Sequence, residues 1–265
     1  MKYLFTLAAL AYAPAHAEMI DADDVGDLPV ADVIFLGEVH DNPMHHENQA
    51  RAIEQIGPTA LVFEMLDRDQ ASRMPDNLPD MAELRALLDW DASGWPDFAL
   101  YYPLFSAAPG AQVFGAGLPR EAARAAMGQD LDQVFLGDAT LFGLTADLPA
   151  AQQHDREALQ ARAHCDALPE ELLPGMVDIQ RLRDAMLADA ALEAVTQTGG
   201  PVVVITGTGH ARNDWGAPYM LTQAQPDLRV LSVGQFEVIP EDRPPHDYWI
   251  VTDPHPRPDP CEMFR

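Results

Sequence analysis

Six short, continuous apolar runs constrain this chain's fold more than any other feature: VADVIFLG (30–37), ALVFE (60–64), AQVFGAGL (111–118), PVVVITGTGH (201–210), LRVLSV (228–233) and YWIVT (248–252). They are rich in β-branched and aromatic residues and do not alternate with polar ones. Strands covered on both faces read this way, and such strands belong to parallel sheets. Helical stretches separate the runs. MHHENQARAIEQI (44–56) follows Asn42-Pro43, an N-cap with proline at the first helical position. REAARAAM (120–127) follows the third run. A long helix with Met176, Ile179, Leu182, Met186 and Leu187 at helical spacing is predicted to begin near Met176, after Pro174-Gly175. The class is α/β, with a mainly parallel central sheet flanked by helices. Residues 67–108 and 128–175 carry few strand signals and read as helical cap insertions. A proline-rich tail closes the chain at 240–265.

The first residues, MKYLFTLAALAYAPAHAEM, read as a secretory leader with an A-x-A cleavage site after Ala17. Residues 18–265 then form a single domain, periplasmic or secreted. No cysteine lies near the cleavage site, so lipid attachment is not expected, and no later stretch is apolar enough to insert in a membrane. The two cysteines, Cys165 and Cys261, are expected to pair in an oxidising compartment and pin the tail to the body. The net charge is −26, and the one lysine, Lys2, would leave with the leader. Nucleic acid is excluded as a partner, and an anionic ligand must be met locally by arginine, histidine or helix N-termini.

In open parallel sheets, ligands bind beyond the carboxyl ends of the strands. Four runs deliver polar residues there: Glu38 and His40; Glu64; Gly115 to Gly117 with Arg120; and His210 with Arg212 and Asn213. Two ends share G-x-x-H, as GEVH and GTGH, where glycine is expected to turn the chain sharply out of the strand. Glu38, His40, Glu64 and His210 could hold a divalent metal or activate water. Glu64 could equally pair with an arginine such as Arg183. His45 and His46 lie on the first turn of the next helix, where adjacent residues point about 100° apart. Gln180 and Asp184 share a face of the long helix beside Arg183 and read as structural hydrogen-bonding groups. Tyr101, Tyr102 and Tyr219 are further pocket candidates, since phenolate can ligate ferric iron. H-E-x-x-H, G-x-S-x-G and Walker signatures are absent, and GAGLPR lacks the third glycine of a dinucleotide fingerprint.

GEVHDNPMHHENQ, VFEML, HCDALPEELLPGMVDIQRLRDAMLA and GTGHARNDWGAP together resemble the ChaN-like haem-binding uptake family. That family shares a superfamily with the TraB/Tiki proteins and the erythromycin esterases. The resemblance implies an α/β fold with a helical cap, and a site for haem or an iron ligand, at the interface of a homodimer. Residues carried toward haem are His40, His45, His46, Tyr102, Arg120, His210, Arg212 and Tyr219, with Arg68 a further propionate partner. The wider superfamily implies an alternative, a metal-assisted or general-base hydrolase using Glu38, His40, Glu64 and His210.

Overall fold

The structure, a computed structural model, describes residues 17–259 and 261–262. The leader reading, over residues 1–16, lies outside the described residues. The strands are β1 (Glu18–Met19), β2 (Val33–Glu38), β3 (Ala60–Phe63), β4 (Gln112–Gly115), β5 (Val202–Gly207), β6 (Val230–Phe236) and β7 (Tyr248–Val251). They form one sheet in the order β1-β7-β6-β2-β5-β3-β4. Every neighbouring pair is parallel. The helices are α1 (Pro43–Ile56), α2 (Arg68–Ala71), α3 (Met81–Leu87), α4 (Trp90–Ser93), α5 (Phe98–Ala107), α6 (Arg120–Ala126), α7 (Leu131–Val134), α8 (Ala150–Ala163), α9 (Leu173–Thr198) and α10 (Ala217–Ala224).

The continuous apolar runs are explained by cover on both faces. Along β2, Val33 and Phe35 enter one core with residues of α9 and α10. Ile34 and Leu36 enter a second core with residues of α1 and α5. On α9 the buried alanines Ala185, Ala188, Ala191 and Ala194 pack with the sheet residues of the first core. Small side chains at these positions let a helix backbone come close to a sheet.

Helix α1 starts as its sequence predicts: the Asn42 side chain accepts the Met44 N–H, and Pro43 is the first helical residue. Helix α9 starts earlier than predicted, at Leu173 rather than near Met176. Pro174 sits in the first turn, where its missing N–H has no helical partner to lose. The G-x-x-H glycines also serve differently. Neither Gly37 nor Gly207 takes a left-handed backbone conformation; Gly37 is the last residue but one of β2, and Gly207 ends β5. A Cβ on Gly37 would lie 2.9 Å from the Val233 carbonyl oxygen, and one on Gly207 would lie 3.0 Å from His40 Nε2. Close approach, not turning, requires glycine there.

Cys165 and Cys261 are joined by a disulfide. The tail it anchors is also held by Arg257, which donates to Asp41 at 2.8 and 2.7 Å and to Glu237. Among the described residues, no helix is long and apolar enough to cross a membrane.

Candidate functional site

The β2–β5 register sets Glu38 opposite Gly207. β3 pairs with β5 on its other side, so Glu64, one residue past β3, arrives at the same place. Topology thus brings Glu38, His40, Glu64 and His210 to one sheet edge from three neighbouring strands.

Two buried carboxylates each face a histidine. His40 Nδ1–H donates to Glu38 Oε1 at 2.8 Å, and the Tyr101 hydroxyl donates to the same oxygen at 2.9 Å. The His40 side chain is 32% exposed, and its ring packs 4.8 Å from Trp95. Its second nitrogen, Nε2, lies over Gly207. Opposite, Glu64 Oε2 accepts from the Thr206 hydroxyl at 2.7 Å and the Gly207 N–H at 2.8 Å. Glu64 Oε1 lies 3.7 Å from His210 Nε2, and His210 Nδ1–H donates to Asp184 Oδ1 at 2.6 Å. Burial alone would raise the Glu64 pKa, but the charges of His210 and His40 and the two hydrogen bonds pull it down to about 2. Burial works against charging either histidine; the carboxylates Glu38, Glu64 and Asp184 outweigh it and raise both pKa values.

Glu64 also lines an open cleft of about 270 Å³ with Met65, Trp95, Leu118, Arg120 and Arg183. Neither Arg120 nor Arg183 hydrogen-bonds to an acidic side chain among the described residues. Arg183 therefore does not neutralise Glu64, as the sequence allowed; its field acts on both site histidines.

Other candidates are placed elsewhere. His45 is fully buried: its Nδ1 accepts the Val39 N–H at 2.8 Å, and Nε2–H donates to the Thr252 hydroxyl at 2.9 Å. His46 is buried beneath the site, donating through Nε2–H to the His40 carbonyl at 2.9 Å. Its Nδ1 faces Glu38 Oε2 at 3.5 Å, neither atom having a hydrogen-bond partner. The Tyr102 hydroxyl donates to the Pro79 carbonyl, and it is the neighbouring Tyr101 that reaches the site. Arg212 is paired with Asp214, and Arg68 with Asp189 and Glu193. Tyr219 stands on α10, 42% exposed. No three His, Cys, Asp or Glu side chains among the described residues are arranged to hold a metal ion. Glu38, His40, Glu64 and His210 instead make hydrogen bonds with one another or with Tyr101, Thr206, Gly207 and Asp184. Asp184 was legible only as a structural group; Trp95 carried no sequence signal, arriving from the cap.

A family model described as "Haem-binding uptake, Tiki superfamily, ChaN" matches residues 25–221. The chain belongs to the ChaN haem-binding uptake family. A solved structure described as cofacial heme binding to ChaN of Campylobacter jejuni is similar, with a TM-score of 0.63 and 19% identity over 86% of this chain and 89% of that one. It shares the fold. The type III effector HopBA1 (TM-score 0.44, 14% identity, 88% and 92% covered) and a mutant of the erythromycin esterase EreC (0.42, 12%, 78% and 70%) are more distant. No curated protein matches.

Buried histidines also set a pH response. Burial lowers the pKa of His45 and of His246 to about 4. The unfolded chain takes up these protons near pH 6.5 and the folded chain only near 4, so stability is lost as pH falls through that window. His40 and His210, with raised pKa values, reach their full contribution only below pH 6.5 and so oppose part of this loss. His45 and His246 are each expected to contribute a loss of about 2 kcal/mol between pH 7 and 5. Urea unfolding at both pH values should show this, with a flatter profile in His246→Gln; equal profiles would contradict it.

Proposed function

We propose that this chain is an exported haem-binding protein of iron or haem uptake, with its site in the strand-end cleft. Family membership supports the ligand class, and the residues of the cleft fit it. Haem, when bound, supplies an iron with an open coordination position and two propionates. His40 fits the iron: a histidine that ligates metal commonly donates its other ring N–H to a carboxylate, as Nδ1 does to Glu38. Arg120 and Arg183 fit the propionates, and Trp95 and Leu118 offer apolar surface to the macrocycle. The observation that carries the placement is the pair of arginines free of acidic hydrogen-bond partners beside a half-open histidine. Export to the periplasm is supported by the A-x-A leader and the disulfide. A homodimer is part of the same reading.

Ligation through His40 Nε2 displaces a proton that Glu38 and Glu64 help to retain. Hemin affinity is therefore expected to rise between pH 6 and 8. Soret titrations at the two pH values check this; affinity that falls over the range would contradict ligation by His40.

A second reading keeps one observation of its own. His210, held between Asp184 and Glu64, has the form of an oriented acid/base group. Turnover of p-nitrophenyl esters, abolished in His210→Gln, would support a hydrolase; no turnover above the buffer rate would remove this reading.

A further inference from the structure

A second cavity, of about 280 Å³, opens between α8 and α9 and reaches His210 and Asp184. It shares no lining residue with the strand-end cleft. In its wall stands Arg156, 7% exposed, with no hydrogen bond to any described residue. Its guanidinium lies 5.2 Å from the centroid of Trp215, whose ring also carries Arg212 at 3.9 Å. The two arginines differ in charge balance. Arg212 is held by Asp214 in two hydrogen bonds of 2.9 and 2.6 Å, whereas Arg156 has no such partner. Asp184, which also lines the cavity, is committed to His210. Gln160 Oε1, in the same wall, is likewise buried without a partner.

Arg156 Nε is buried with no hydrogen-bond partner, and a buried polar atom left unsatisfied is costly and calls for an explanation. We propose that this cavity binds a small carboxylate with an apolar body, its carboxylate seated on Arg156. The planar fork of arginine matches a carboxylate in two parallel bonds. Leu159, Ala163, Val177 and the Trp215 ring supply apolar walls. The unpartnered Gln160 oxygen selects a ligand that also carries a hydroxyl or amine donor. The volume, about 280 Å³, lies just below the ~300 Å³ at which pockets for drug-sized ligands begin, which suits a small monocarboxylate. The inference does not depend on the haem reading.

The test uses benzoate and 4-hydroxybenzoate as probes of the mature protein, by calorimetry. Saturable binding is expected, tighter for the hydroxylated acid and weakened about tenfold or more in Arg156→Met. Leu159→Trp, which fills the cavity without touching the charge, should also abolish it. Hemin titrations of both variants should match the wild type. The proposal is overturned if neither acid binds saturably into the millimolar range, if Arg156→Met binds them as the wild type does, or if hemin displaces a bound acid.

Discussion

A chain in which Cys165 and Cys261 are both replaced by serine is expected to be about 4–5 kcal/mol less stable than the wild type. The bridge spans 96 residues, and closing so long a loop removes much of the unfolded chain's freedom. In the folded state the tail has other anchors. Arg257 is bonded to Asp41 and Glu237, and the Asn42 side-chain amide donates to Glu237 at 2.8 Å and to the Asp253 carbonyl at 3.1 Å. The folded structure of the variant should therefore persist while its unfolded state gains entropy. For a chain of this size the loss corresponds to a Tm lower by roughly 10 °C or more. A double-serine variant melting within about 2 °C of the wild type would contradict this account of the bridge.

Removal of the Glu64 carboxylate is expected to be nearly as costly. In Glu64→Leu the Thr206 hydroxyl and the Gly207 N–H lose their acceptor in a buried setting. His210 and His40 lose the charge that holds them toward the protonated form. Breaking such a buried cluster costs about 3–5 kcal/mol. Glu64→Gln keeps an acceptor oxygen and gives up only the charge, so it should cost less than half as much. It should also lower the pKa of His210, measurable by NMR. Equal stability of Glu64→Leu and wild type in urea would mean that the carboxylate is not a structural part of the cluster.

The contrast between strand ends and cap explains what the sequence made legible. Buried parallel strands leave continuous apolar runs, and these located β2 to β7; β1, only two residues long, left no such run. Once the strands are known, the carboxyl-end rule places Glu38, His40, Glu64 and His210 together without any side-chain coordinates. Cap residues obey no such rule. Tyr101 and Tyr102 are adjacent on α5, and which of them faces the site depends on how α5 rotates against α1 and the sheet. Trp95 lies in the loop before α5, and its contact with His40 is purely tertiary. Asp184 stood out as a polar residue on an apolar helix face, yet only the packing of α9 against the β5 end gives it His210 as a partner. His45 and His46 looked like ligands because histidine clusters often are. Their real work is to satisfy backbone groups of the β2–α1 turn, the Val39 N–H and the His40 carbonyl.

The central claim is that haem occupies the strand-end cleft, with His40 toward the iron and Arg120 and Arg183 toward the propionates. The most direct measurement is a hemin titration of the mature protein followed at the Soret band, run beside His40→Ala and Arg120→Ala/Arg183→Ala. The account predicts a saturable, shifted band for the wild type, a different band position for His40→Ala, and an unchanged band with affinity weakened about tenfold or more for the double arginine variant. A wild-type spectrum that matches free hemin would contradict haem binding. A normal band and affinity in all three proteins would contradict the site.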